Sequence, residues 1–266
     1  MKHSARSCEE HEKNGISLVL RIGVFWLSVV LWNNFAYGGR PLATEDAGVV
    51  PHGKAQIETS FDDSREGMGD RSYAFLVTPI YGLFNRFELS TEIPFVITRP
   101  EEGENEGGLS DINLVTKSLF IREGKVNPAV LLRSYVKLAT GSDEKGFGSG
   151  EEDVGLVGVL TKDIKPFTLH ANVGYVFVGG DKNMIPYAFA CEYSLTDKAK
   201  IVGEWAVETN SHVDADGFHH DTFNPLVGLT YQLTRFIALD TAFRVGIADE
   251  KKTEYSMTVG LTLNLF

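Results

Sequence analysis

The chain is poor in cysteine, and this scarcity limits how its fold can be held together. It has two cysteines among 266 residues, Cys8 and Cys191. Because Cys8 precedes the export-signal cleavage region described below, Cys191 stands alone in the mature chain and cannot form an intramolecular disulfide. It lies on an apolar strand face beside Phe189 and Tyr193, so we interpret it as a small apolar residue rather than a reactive thiol.

Positive charge is also scarce. The chain has 25 Lys and Arg residues against 36 Asp and Glu residues, which gives a formal net charge of -11. Nucleic-acid-binding proteins need basic surfaces, so this balance argues against nucleic acid as a partner. The glycine-rich run at 146–150 lacks the lysine of a phosphate-binding loop and lies between strands, so we expect neither a nucleotide nor another cofactor.

Long apolar runs are missing outside the N-terminal region. Residues 16–31 form one such run, which is preceded by a basic stretch and interrupted by Arg21. The small-x-small sequence at 36–38 fits a signal-peptidase site, so residues 1–38 are predicted to be a signal peptide that is removed on export. An uncleaved helical anchor is the alternative, although the run is short for a membrane span.

The rest of the chain contains an alternation of apolar and polar residues with a period of two. In the segment 237–247, Leu239 and Phe243 face one way with the other odd-numbered residues, whereas Asp240 and Arg244 face the other way. Such a period indicates an extended strand with one apolar and one polar face. Twelve segments of this kind follow one another, and most have about ten residues, enough for a tilted strand to cross a membrane.

The joints between these segments alternate between short and long. Tight turns such as 196–198 follow the even-numbered segments, whereas longer polar joints such as 140–152 follow the odd-numbered ones. This organisation predicts a transmembrane antiparallel up-and-down β-barrel of about twelve strands, formed by residues 54–266, in the bacterial outer membrane. The short turns and both termini then face the periplasm. A soluble β-sandwich is the competing fold.

Residues 39–53 have no strand period and contain two prolines. We predict that they form an irregular leader, which either hangs in the periplasm or folds into the lumen of the barrel.

The last segment ends in an aromatic residue, Phe266. A terminal aromatic on an amphipathic strand resembles the signal that the barrel-assembly machinery reads, so we expect this machinery as a partner during biogenesis. Phe266 is nevertheless out of phase, because Thr262 and Asn264 share its parity and the leucines lie on the other face. A local bend or an extra residue at the rim would reconcile the two.

The polar strand faces would point into the lumen, and they carry many charges. The candidates for setting solute selectivity are Glu88, Glu92, Asp111, Lys117, Arg133, Lys137, Glu192, Glu204, Glu208, Asp240 and Arg244. Rings of such charges determine which solutes a pore passes. In the alternative interpretation they pair across a filled lumen and only hold the shape of the barrel.

Two joints carry side chains that are able to contact ions. Asp214, Asp216, His219 and His220 are metal-ligating residue types, but their spacing fits neither a calcium loop nor a zinc site, so we favour a solvated loop. The acidic run at 101–106 offers carboxylates to divalent ions that bridge lipopolysaccharide, although such runs are by default solvated. Outer-membrane lipid and lipopolysaccharide are the expected surroundings of the barrel.

Several motifs resemble those of a known family. They are RPLATEDAG at 40–48, LSTEIPF at 89–95, GLSDI at 108–112, KLATG at 137–141 and GFGSG at 146–150. Together they resemble the outer-membrane "MetA-pathway of phenol degradation" proteins, a family of transporter-type β-barrels, over most of the mature chain. The resemblance implies a channel for small solutes, aromatic or other hydrophobic compounds among them, and it supplies no catalytic residues.

Two other classes of function stay open. One is a structural or adhesion barrel without transport. The other is an outer-membrane hydrolase, which would need a nucleophile and a base within hydrogen-bond reach. His170 is the one histidine that the pattern places within a strand, and no readable motif places a serine beside it.

Overall fold

The structure is a computed structural model that describes residues 40–66, 70–101, 103–179, 183–210, 222–246 and 253–265. Within these ranges the chain forms thirteen strands. The same ranges contain no helix that is long and apolar enough to cross a membrane. The predicted signal peptide lies outside the described residues.

All thirteen strands run antiparallel to their neighbours. They are β1 (Ala55–Glu66), β2 (Arg71–Phe84), β3 (Phe87–Arg99), β4 (Glu106–Leu109), β5 (Ile112–Ile121), β6 (Ala129–Leu138), β7 (Asp153–Ile164), β8 (Phe167–Phe177), β9 (Met184–Ser194), β10 (Ala199–Asn210), β11 (Thr222–Thr234), β12 (Ile237–Val245) and β13 (Thr253–Leu265).

The sheet closes on itself because β1 pairs with both β2 and β13. Strands β4 and β5 pair with opposite ends of β3 and are separated only by Ser110 and Asp111, so they form one interrupted strand of the barrel. The predicted all-β barrel of twelve antiparallel strands is therefore confirmed, and the β-sandwich alternative is wrong. Full closure satisfies the backbone hydrogen bonds of every strand without leaving an edge.

The strand boundaries differ from the predicted ones at the long-joint end. Strand β1 continues to Glu66, although the apolar period ends near residue 62. There Asp63 pairs with Tyr73 and Arg65 pairs with Arg71, so polar residues continue the ladder beyond the apolar band. Similarly, Glu106 begins β4 although we predicted a loop at that position. The polar end of a strand has no alternation of apolar and polar residues, so its extent is known only from its pairing with the neighbouring strand.

The two faces of the barrel differ as the alternation predicts. Phe75, Trp205 and Leu229 face outward, and half or more of each side chain is exposed. Leu76, which follows Phe75, and Val202 of β10 are buried inside. The outside is thus a continuous apolar band, as a lipid-facing surface requires.

The leader folds into the lumen. Residues 40–53, here called the inner segment, enter from the short-turn end and fill that half of the barrel. Leu42 packs in a buried cluster with Val202 and Leu226, and Ala47 packs in another with Leu131 and Val159. The inner segment therefore supplies part of the hydrophobic core.

The last strand keeps a single register with β12 as far as Leu263 and with the start of β1 as far as Leu265, which lies opposite Ala55. The bend that would bring Phe266 into phase is therefore absent up to that residue. Phe266 itself lies outside the described residues, and its role in assembly stays a prediction.

Candidate functional site

The inner segment enters the lumen against the turn between β2 and β3. Gly53 N donates to Gly82 O at 2.9 Å, and Gly82 N donates to Lys54 O at 3.0 Å. A Cβ at residue 82 would lie 2.2 Å from Pro51 O, so only glycine allows the two backbones to approach this closely. Further inside, Val50 N donates to a carboxylate oxygen of Glu88 on β3.

Glu45 of the inner segment lies at the centre of a charged network. Its Oε1 is 2.8 Å from Arg133 Nε, and its Oε2 is 2.5 Å from Lys117 Nζ. Arg133 Nη2 also bonds Glu92 Oε1 at 2.7 Å, and Asn113 Nδ2 donates to Glu92 Oε2 at 2.7 Å. Strands β3, β5 and β6 thus present alternating charges that surround one carboxylate of the leader.

This network is almost completely dehydrated. The side chains of Glu45 and Arg133 are 2% and 0% exposed. Desolvating such charges is costly, so their ion pairs are tolerated only because the geometry is good and further hydrogen bonds are made. Removing one member would leave a buried charge without its partner, at a cost of about 3–5 kcal/mol.

A second set of contacts holds the start of the inner segment. Arg40 Nη2 lies 3.1 Å from Asp240 Oδ1 and donates to Thr258 Oγ1 at 2.8 Å. Thr44 N donates to Glu204 Oε2 at 2.5 Å, and Glu204 Oε1 is 3.1 Å from Arg244 Nη2. Strands β10, β12 and β13 therefore bind the segment opposite the Glu45 network.

His170 belongs to a third set of contacts. Its Nδ1 lies 2.9 Å from Thr161 Oγ1, and its Nε2 lies 3.7 Å from Glu192 Oε1. Thr161 Oγ1 also accepts a hydrogen bond from Ala47 N at 2.9 Å. The hydroxyl beside this histidine is thus covered by the inner segment, and the group positions the leader.

The long-joint half of the lumen is organised by Asp111 in the interruption between β4 and β5. Its Oδ1 accepts Gly141 N at 2.7 Å and its Oδ2 accepts Ser149 N at 3.1 Å, so it holds the loop at 139–152. Lys137 donates to Ser149 Oγ at 2.8 Å and forms an ion pair with Asp153. The motifs at 108–112, 137–141 and 146–150, which are apart in sequence, thus form one contact set.

A cavity of about 220 Å³ remains between the inner segment and the wall formed by β1, β2, β3 and β5. Glu58, Thr78 and Ser90 contribute polar groups to its lining. Leu76 and Val115 contribute apolar surface. No cluster of metal-ligating side chains occurs among the residues that the structure describes.

Ten of the predicted selectivity candidates lie inside the barrel with their side chains mostly buried or in ion pairs. They are Glu88, Glu92, Asp111, Lys117, Arg133, Lys137, Glu192, Glu204, Asp240 and Arg244. The side chain of Glu208 lies outside the described part of the structure, as do Asp214, Asp216, His219 and His220. The selectivity roles and the loop interpretation stay predictions.

Sequence reasoning did not identify the residues of the inner segment that bind these charges. Arg40 and Glu45 stand in a stretch without any period, so nothing in the local pattern shows which way they point. The available signal was the presence of ionisable residues in an irregular segment that directly precedes a barrel with many inward charges.

The sequence matches the family described as "Putative MetA-pathway of phenol degradation" over residues 38–265. The chain belongs to this family. The matched range includes the inner segment, Glu92 and Asp111. No curated protein sequence matches the chain.

Three solved structures share the fold of this family member. The COG4313 outer membrane channel from Pseudomonas putida F1 is 14% identical, with a TM-score of 0.69 over 83% of this chain and 98% of that chain. The NanC porin is 10% identical, with a TM-score of 0.55 over 79% of this chain and 100% of that chain. The KdgM porin in complex with disordered oligogalacturonate is 10% identical, with a TM-score of 0.50 over 79% of this chain and 99% of that chain. The shared fold is that of outer-membrane β-barrels.

Proposed function

We propose that the protein is a channel of the bacterial outer membrane that passes small solutes through its lumen, after export by a cleaved signal peptide. The observation that carries this proposal is the cavity of about 220 Å³ beside the inner segment, within a closed barrel whose inner wall carries many charged side chains. The channel and porin folds of the solved structures support it, as does the apolar outer band.

The lining of the cavity suggests the class of solute. Leu76, Ile80 and Val115 offer an apolar surface, and Thr78, Ser90 and Glu58 offer hydrogen-bonding groups. A cavity of about 150 Å³ already accommodates benzene in a protein interior. We therefore propose a neutral molecule of one aromatic ring with a polar substituent, which agrees with the class that the family resemblance implies.

The inner segment would control the width of this path. It crosses the lumen and is held by ion pairs, individual hydrogen bonds and apolar contacts rather than by a strand ladder. A shift of the segment would therefore open the lumen without breaking the barrel. We propose no enzymatic activity. His170, the one histidine on the described strands, meets a threonine hydroxyl that already accepts a hydrogen bond from the inner segment.

A structural barrel without transport is the second candidate. It is favoured by the dense ion pairing around Glu45, because a lumen that is permanently closed by the inner segment would not conduct. The two candidate functions differ in whether the inner segment can move within the lumen and open a path for solutes.

The test is single-channel recording in planar bilayers with the refolded protein and with Glu45→Gln. We expect small conductance steps for the wild type and larger or longer ones for Glu45→Gln, since the inner segment loses its ion pairs with Lys117 and Arg133 on the wall. Asp197→Asn is the control, because Asp197 is an exposed carboxylate in the turn between β9 and β10 and does not line the cavity.

Heat-modifiable migration on a gel checks that each variant has folded before it is recorded. If neither the wild type nor Glu45→Gln conducts, the channel proposal is wrong and the structural barrel is favoured.

A further inference from the structure

Three arginines form a row on the outside of the barrel at the long-joint end. Arg65 of β1 lies opposite Arg71 of β2, and Arg71 lies opposite Arg99 of β3. All three side chains belong to the outward face and are exposed. On the described strands, no other outward-facing Lys or Arg occurs in the long-joint half of the barrel.

Like charges directly opposite each other on neighbouring strands are unfavourable, so this row needs counter-charges. Asp63 supplies one, because its Oδ1 accepts a hydrogen bond from Arg71 Nε at 2.7 Å. Glu254 supplies a weaker one, with its Oε2 at 3.5 Å from Arg65 Nε and both side chains half exposed. Arg99 has no ion pair among the described residues. Among the described residues, the guanidinium group of Arg99 is therefore available to bind an anion.

An apolar groove lies directly below the row on the same three strands. It has a volume of about 370 Å³ and is lined by Phe61, Tyr73, Phe75, Phe95 and Ile97. Phe61, Phe75 and Phe95 lie opposite one another, four residues along each strand from the arginines. At about 3.4 Å per residue, the groove extends to roughly 14 Å below the guanidinium groups.

We propose that this surface binds one lipopolysaccharide molecule of the outer leaflet, with a lipid A phosphate on the arginine row and an acyl chain in the groove. The inference rests on the proposed outer-membrane location, in which the long joints face the cell exterior. Guanidinium groups bind phosphate through paired, charge-assisted hydrogen bonds. The vertical order of charge above aromatic surface matches the order of phosphate above acyl chain in that lipid.

The test is native mass spectrometry of the detergent-purified protein, titrated with bis-phosphorylated lipid A. Dephosphorylated lipid A and phosphatidylglycerol are the comparison lipids. We expect one tightly bound lipid A per barrel, and an affinity at least about tenfold lower for the triple variant Arg65→Gln, Arg71→Gln, Arg99→Gln, since each charged hydrogen bond contributes about 1.5–3 kcal/mol.

Arg99→Gln alone should weaken binding measurably without leaving any carboxylate unpaired, so it remains informative if the triple variant folds poorly. The matched control is Arg86→Gln, Arg122→Gln, Arg235→Gln, which removes three exposed charges at the short-turn end. Phe75→Ala should also lower the affinity, because the acyl chain loses its contact.

Equal affinity of the wild type and the arginine variants would overturn the proposal, as would equal binding of dephosphorylated lipid A. Equally tight phosphatidylglycerol binding would overturn the assignment to lipopolysaccharide. If Phe75→Ala binds lipid A with unchanged affinity, the acyl chain does not lie in the groove. These outcomes are independent of the conductance test, because the arginine row lies outside the lumen.

Discussion

Gly260 shows how one residue decides whether the inner segment can dock. It lies on β13 with its face toward the lumen, directly beside the Arg40–Asp240 ion pair. A Cβ at this position would lie 2.2 Å from Arg40 Nε and 2.4 Å from Asp240 Oδ2. The backbone here is ordinary strand, so the requirement for glycine arises from space alone.

We expect Gly260→Ala to displace Arg40 and to loosen the start of the inner segment. The lost charged hydrogen bonds contribute about 1.5–3 kcal/mol each, so amide protection of residues 40–50 should fall by at least tenfold in hydrogen–deuterium exchange. Gly203→Ala is the matched control, because its Cβ would meet only one atom within 4 Å, at 4.0 Å. Equal protection in the two variants would contradict this role of Gly260.

Asp111 holds the loop at 139–152 at the other end of the lumen, as Gly260 allows the inner segment to dock. Asp111→Ala removes the acceptor for Gly141 N and Ser149 N, so the loop at 139–152 should open more often. We expect trypsin to cleave the folded protein after the exposed Lys145 several-fold faster, since such cleavage follows local opening. Asp197→Ala changes an exposed carboxylate in another loop and should leave the rate unchanged. A similar rate for both variants would mean that other contacts hold the loop.

At the scale of the element, the strands could be predicted because lipid and lumen impose opposite demands on alternate residues. The assignment of residues to the lipid face and the lumen face can be tested by placing an arginine on each face. Leu229 and Leu239 face outward, whereas Thr230 faces inward between Lys200 and Asp240. An arginine on the lipid face costs about 2–4 kcal/mol at mid-membrane.

Leu229→Arg and Leu239→Arg should therefore block barrel assembly, and Thr230→Arg should assemble normally. The folded fraction is read from heat-modifiable migration after refolding into lipid vesicles. If all three variants assemble equally well, the assignment of the faces is wrong.

The elements that could not be predicted are those positioned by distant contacts. The interruption between β4 and β5 follows from Asp111 bonding to a loop that comes some thirty residues later. The path of the inner segment follows from Glu45 meeting Arg133 and Lys117, which lie on two later strands. Alternation describes only the immediate surroundings of a residue, so it identified the charges on the wall but not their partner.

At the scale of the whole molecule, the charges of the lumen do not balance. Each inward-facing cation in the described lumen has a carboxylate partner: Arg40 with Asp240, Lys117 with Glu45, Arg133 with Glu92, Lys137 with Asp153, Lys200 with Glu192, and Arg244 with Glu204. Glu58 and Asp62 remain without a cation within ion-pair distance among the described residues, and Glu88 is 3.9 Å from a lysine that is already paired. Glu58 and Glu88 line the cavity, and Asp62 lies four residues beyond Glu58 on β1.

A pore whose unpaired charges are carboxylates favours cations. In a KCl gradient we therefore expect a reversal potential of the sign that marks K⁺ as the more permeant ion. The double variant Glu58→Gln, Asp62→Asn should move the permeability ratio toward one, whereas Asp197→Asn, in the exposed turn between β9 and β10, should not. Anion preference in the wild type, or a ratio that the double variant leaves unchanged, would show that ions follow a path away from this wall. Because Glu58 lines the cavity, the experiment also tests the solute class. A wall that repels Cl⁻ should also exclude phenolate-type anions and admit the neutral form.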